Sequence, residues 1–66
     1  MHLADFELVE TIEISEWRVQ VSVAQMLSQL MVIIYHKNSS ETHFNIFTKQ
    51  REAVYWIESV IGMPIA

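Results

Sequence analysis

The sequence predicts an α+β domain in which an antiparallel sheet of three to four strands carries a C-terminal helix on one face. Two observations lead to this fold class. Apolar and polar residues alternate along the first third of the chain, as they do in strands with one solvated face. Later in the chain, apolar residues recur instead at helical spacing. A sheet and a helix that each bury one side pack against each other.

The chain is short, with 66 residues, no cysteine and a single glycine, and we interpret residues 1–66 as one domain. One core of this size leaves little stability to spare, which favours association with a second copy. The composition excludes thiolate chemistry, cysteine-based zinc fingers and a glycine-rich phosphate loop. No signal peptide or membrane span is recognisable. We therefore expect a cytoplasmic protein with no membrane partner.

The first two strands are expected at residues 6–14 and 17–23, joined by a tight turn. In the first strand, the alternation fails at Val9 and Glu10, and a β-bulge or an edge position there would restore it. Residues 24–30 combine helix-favouring side chains with helical spacing. This segment is therefore expected to connect the strands as a short helix or a loop.

The third and fourth strands are expected at residues 31–36 and 43–47, on either side of a polar turn. A turn centred on Ser39 and Ser40 would place His36 directly opposite His43. One face of this hairpin is entirely apolar and is expected to form the core beneath the helix: Met31, Ile33, Tyr35, Phe44 and Ile46.

The opposite face of the hairpin carries Val32, Ile34 and Phe47, which no second predicted helix covers. Burial of this patch by two-fold self-association predicts a homodimer. Tyr55, which lies opposite the apolar stripe of the helix, is the fourth candidate interface residue. Alternatively, residues 24–30 fold over the patch as a short helix and leave a monomer.

The final helix is expected over residues 49–61, with Thr48 as its N-cap and Gly62 in the left-handed position that ends it. Its N-terminus combines free backbone N–H groups with Lys49 and Arg51. Thr48, Lys49 and Arg51 are therefore candidate ligand-binding residues for a phosphate or carboxylate group.

Charge and the scarcity of chemical motifs limit the remaining function classes. The net charge is −4, and the first 16 residues carry five acidic and no basic side chains. The four basic residues are too scattered for nucleic acid to be a partner. His36 and His43 are the one candidate metal pair, but a structural zinc site needs four ligands, so no metal or other cofactor is expected. No catalytic motif is present, and an enzyme is the less favoured class.

These observations predict a small, non-catalytic protein-interaction module that self-associates and offers its acidic N-terminal strand to another protein. The alternative is a small protein that binds an anionic ligand, either at the N-terminus of the last helix or in a cavity at a dimer seam.

Overall fold

The computed structural model of the protein describes residues 6–65 and shows a four-stranded antiparallel sheet followed by an α-helix. The strands lie side by side in their sequence order, so each one pairs with its neighbour along the chain. The predicted α+β class is confirmed. The elements are β1 (Glu7–Ile14), β2 (Trp17–Ala24), a short 3-10 helix (Gln25–Leu27), β3 (Gln29–His36), β4 (Thr42–Phe47) and α1 (Gln50–Ile61).

Strand β1 contains the predicted irregularity. Its register against β2 shifts between Leu8 and Glu10, which leaves Val9 as the additional residue of a β-bulge. The turn into β2 holds Ser15 at φ 52°, in the left-handed region. A residue with a Cβ atom adopts this conformation at a steric cost.

The connection between β2 and β3 is compact and does not fold over the sheet. Residues 25–27 form a single 3-10 turn, and Ser28, at φ 51°, donates its N–H to the Gln25 carbonyl at 3.2 Å. Ala24 and Leu30 belong to the flanking strands. The alternative in which residues 24–30 cover one face as a helix is therefore wrong.

The β3–β4 hairpin has a different register from the predicted one. Ile34, and not His36, lies opposite His43. The turn is centred one residue earlier than assumed, between Asn38 and Ser39, because the His36 N–H donates to the Glu41 carbonyl at 3.0 Å. Within the turn, Ser39 Oγ accepts the Glu41 N–H at 3.1 Å. The difference from the predicted register is an even number of residues, so the same side chains share each face.

Helix α1 ends as predicted but begins differently. Lys49 holds the N-cap position in extended conformation, and its side chain makes no capping hydrogen bond. The prediction of Thr48 as the N-cap is wrong. At the other end, Gly62 adopts φ 75° and donates its N–H to the Glu58 carbonyl at 2.8 Å.

The helix covers the opposite side of the sheet from the one expected. We call the covered side the helix face. Its centre is formed by side chains that are almost fully buried together, namely Val19, Val32 and Ile34 of the sheet with Ala53, Ile57 and Ile61 of α1. We call the other side the open face. It carries the residues that were expected to form the core, of which Met31 is buried and the others are half-buried or exposed: Met31, Ile33, Tyr35, Phe44 and Ile46.

The register of β2 gives the physical reason for this reversal. Val19 lies opposite Ile34, so the apolar side of β2 continues the side of β3 that also carries Val32. The other side of β2 carries Arg18 and Gln20. Although both faces of the β3–β4 hairpin are apolar, only the helix face stays apolar across β2 as well, and this face forms the core.

Candidate functional site

The open face is the side of the sheet that α1 does not cover, and several large apolar side chains are exposed on it. Of the elements within residues 6–65, the one helix packs on the other side. Phe44 is 54% exposed and Tyr35 is 36% exposed, while Ile33 and Ile46 are half-buried. Large apolar side chains that are exposed together typically mark a contact surface.

Among residues 6–65, the open face carries charge at one corner only. Its one charged corner lies across β1 and β2, where Arg18 Nε donates to Glu13 Oε2 at 2.7 Å. Lys37, in the turn after β3, binds the other carboxylate oxygen of Glu13. Hydrogen bonds from Lys37 and then from Arg18 hold the pKa of Glu13 below its ordinary value. The corner thus neutralises its own carboxylate.

Three of the four predicted interface residues lie on the helix face. Val32 and Ile34 have no exposed surface, and the ring of Phe47 packs against Trp56 with 5.5 Å between centroids. The prediction that they point away from the helix is wrong, because the apolar side of β2 continues the face that carries Val32 and Ile34, and α1 packs on that face. Tyr55 is 67% exposed on the outer side of α1, as its position opposite the stripe implies.

The candidate anion-binding residues lie at the exposed N-terminus of α1. Thr48, Lys49 and Arg51 are all exposed, and Lys49, Arg51 and Glu52 border a shallow depression there. The carboxylate of Glu52 belongs to the first helical turn, so it opposes binding of an anion at this place. Anion binding by these residues stays a prediction.

The two histidines flank Trp17 at the end of the sheet nearest the β3–β4 turn. His36 packs edge-on against the Trp17 ring at 4.7 Å, and the His43 ring lies 6.4 Å from it. His36 Nδ1 accepts the N–H of Asn38 at 3.2 Å, which leaves the proton of the neutral ring on Nε2. His43 Nε2 lies 2.6 Å from a Glu41 carboxylate oxygen. Within residues 6–65, no three potential ligands are grouped to hold a metal ion.

A groove between α1 and β1 was not anticipated from the sequence. Its volume is about 320 Å³, and Glu10 is the carboxylate in its wall. The remaining lining residues are mostly apolar: Val9, Ile12, Val21, Leu30, Gln50, Ala53, Val54, Ile57 and Ile65. The signal in the sequence was Glu10 itself, which occupies an even position of β1 where Ile12 and Ile14 are apolar. We call this depression the α1–β1 groove.

A second depression, of about 450 Å³, adjoins the α1–β1 groove at the same end of the sheet. Val23 in its wall lies opposite Leu30, which lines the groove. Glu7 is the carboxylate in the wall of this second depression. Met26 and Leu27 border the depression, with 99% and 49% of their surface exposed. The two depressions together present apolar walls with two carboxylates along β1.

In the part of the chain that the structure describes, no helix has the length and apolar character needed to cross a membrane. A search for related proteins finds that no family model, no curated protein and no solved structure matches the chain.

Proposed function

We propose that this protein is a non-catalytic interaction module in which two copies associate through their open faces. The observation that carries the proposal is the uncovered apolar surface around Phe44 and Tyr35, on the side of the sheet away from α1. Two sheets that meet face to face interdigitate such side chains in a layer about 10 Å thick. The cytoplasmic setting expected from the cysteine-free composition is part of the same proposal.

Charge supports a second copy as the occupant of this surface. Each chain carries a net charge of −4, so contact between two copies through charged surfaces would oppose like charges. The open face avoids this because Glu13 is paired with Arg18 and Lys37 of its own chain, and the other described side chains of the face are apolar or uncharged. Glu7 and Glu10 line depressions beside the helix face, away from the proposed contact.

The two edges of the sheet are poorly suited to association, which leaves the face as the better surface. On edge strand β1, the bulge at Val9 interrupts the regular row of backbone groups. On edge strand β4, Asn45 Oδ1 accepts the N–H of Ile46 at 2.8 Å. That amide is then not free to pair with a strand from another chain, so edge-to-edge pairing is disfavoured.

The small core gives self-association a stabilising role. Eight hydrophobic residues within the described chain are buried, and the buried set includes small side chains such as Ala24 and Ala53. Burial of Phe44 and Tyr35 in a dimer would remove further apolar area from water, at about 25 cal/mol per Å². Association would therefore raise the stability of the fold as protein concentration rises.

The test is the molar mass in solution, measured by light scattering or sedimentation over a concentration series. We expect the wild-type protein to show twice the mass of one chain at high micromolar concentration. Phe44→Glu should shift the mass to that of one chain, because it places a charge in the contact. Tyr55→Glu is the matched control, since it makes the same kind of change on the outer side of α1.

Two results would reject this proposal. One is a wild-type mass of a single chain across the whole concentration range. The other is dissociation by Tyr55→Glu together with an unaffected Phe44→Glu variant, because this would place the contact on the helix. Circular dichroism of both variants establishes that a lower mass reflects dissociation and not unfolding.

A further inference from the structure

We propose that the α1–β1 groove and the adjoining depression bind a basic, amphipathic helical segment of another protein. This inference concerns the helix side of the sheet and is independent of self-association through the open face. Helix-in-groove recognition requires an apolar groove for the apolar side of the incoming helix and polar contacts at the rim. The structure supplies both features in one place.

The apolar part of the surface is formed by side chains that α1 leaves incompletely covered. Val21 and Leu30 are half-buried, in contrast to the completely buried Val19 at the centre of the helix face. Val54 contributes from the helix side, and Met26 extends the surface beyond the end of the strands. Methionine is common at surfaces that accept apolar partners because its side chain is flexible and polarisable.

The charge of this surface selects a basic partner. Glu7 and Glu10 form no hydrogen bond or ion pair within residues 6–65, although each lines a depression with apolar walls. Four other described carboxylates are engaged: Glu13 binds Arg18 and Lys37, Glu16 accepts from Asn38, Glu41 contacts His43, and Glu58 accepts the N–H of Ile65. Glu52 also has no partner within residues 6–65, but it borders the depression at the N-terminus of α1 and not the groove. A partner that brings positive charge to Glu7 and Glu10 would satisfy two carboxylates that the described chain leaves unpaired.

The spacing of the two carboxylates favours a helical partner. The bulge at Val9 places Glu7 opposite Val23 and Glu10 opposite Val21, two residues apart on β2, so the two carboxylates are roughly 7 Å apart along β1. Two residues that are four apart on an α-helix lie on one side of it and are separated by a similar distance, roughly 6 Å. An incoming helix with Lys or Arg at this spacing can therefore address both carboxylates while its apolar residues enter the groove.

The probe is a synthetic amphipathic peptide of about 14 residues built from Leu and Lys, with two lysines four residues apart at the edge of the apolar stripe. A peptide with Glu in place of each Lys is its control. Binding is measured by titration calorimetry at low salt. Backbone amide shifts in NMR spectra locate the contact on the protein.

We expect the Leu/Lys peptide to shift the amides of residues 7–12 and of Val54, and the Leu/Glu peptide to leave them unchanged. The double substitution Glu7→Gln with Glu10→Gln should weaken binding about fivefold, as the loss of two exposed ion pairs implies. The matched control is Glu41→Gln with Glu52→Gln. It removes the same charge from the hairpin turn and from the first turn of α1, outside the groove.

Three outcomes would overturn the inference: equal binding of the acidic peptide, an equal loss in the two double variants, or shifts confined to the open face around Phe44. The two proposals fail separately. Phe44→Glu should abolish dimerisation and leave peptide affinity unchanged, whereas Glu7→Gln with Glu10→Gln should weaken peptide binding without a change in molar mass. All these substitutions lie at exposed positions, so the variants are expected to fold.

Discussion

Ile33 and Ile34 are adjacent isoleucines on opposite faces of β3, and together they test which face forms the core. Ile34 has no exposed surface, so Ile34→Ala removes three carbon atoms that are fully buried. At about 0.8 kcal/mol for each carbon, the transfer free energy alone is about 2.4 kcal/mol. The cavity left between the sheet and α1 adds to this, and buried Ile→Ala substitutions cost roughly 2–5 kcal/mol. We expect a loss of about 3–4 kcal/mol for Ile34→Ala.

Ile33→Ala makes the same chemical change on the open face, where the side chain is half-buried and no described element encloses it. The expected loss is about 1 kcal/mol, because less area is removed and no closed cavity forms. Urea unfolding followed by circular dichroism measures both values, at a concentration low enough to keep the protein monomeric. A total stability of roughly 3–10 kcal/mol is typical for this length, so the difference is readily measured. Equal losses, or a larger loss for Ile33→Ala, would refute the face assignment.

Three further predictions concern single features of the fold. Because the pKa of Glu13 lies below 4.5 in the folded state, its stabilising contribution is present above that pH and is lost as the pH falls through the folded pKa. Glu13→Gln should therefore flatten the decrease in melting temperature on acidification, which a pH series of thermal unfolding checks at low salt. Gly62→Ala should cost roughly 1 kcal/mol through backbone strain alone, since an added Cβ meets no atom within 4 Å, and an unchanged melting temperature would contradict this. Titration calorimetry should show no tight zinc binding, because His36 and His43 are each engaged with a neighbouring group; stoichiometric submicromolar binding that disappears in His43→Ala would show the opposite.

The elements of the fold were predictable wherever a local pattern determines them. The alternation from Trp17 to Val23 identifies β2, and the break at Val9 and Glu10 identifies the bulge of β1. The end of α1 was predictable because Gly62 fits the left-handed position after the last helical turn. Each of these features depends on residues that are close together in sequence.

Which face of the sheet forms the core depends on the register of β2, β3 and β4 together. The β3–β4 hairpin alone could not identify it, because both of its faces are apolar. Extending the register to β2 would have shown Arg18 and Gln20 on the open face. The centre of the β3–β4 turn was misjudged for a different reason, because His36 pairs with Glu41 and Ser39 Oγ accepts the Glu41 N–H inside the turn. Such side-chain hydrogen bonds compete with the shortest hairpin turn and are hard to anticipate from residue type.

The candidate surfaces were predictable only in part. Tyr55 is exposed as its helical position implied, and the acidic character of β1 is evident from composition. The α1–β1 groove was not predictable, because it requires knowledge of how far α1 extends across the sheet. Glu10 at an apolar position was the one local sign of it.

Because each strand pairs with its neighbour in sequence, the sheet can assemble from successive hairpins with short connections. Such local pairing lowers the contact order and favours rapid folding. The part of the core that α1 supplies follows all four strands in the chain. During synthesis, the sheet therefore exposes apolar side chains on both faces until residues 53–61 have left the ribosome. The bulge of β1 and the Asn45 hydrogen bond on β4 are most valuable in that interval, when they hinder pairing between nascent chains.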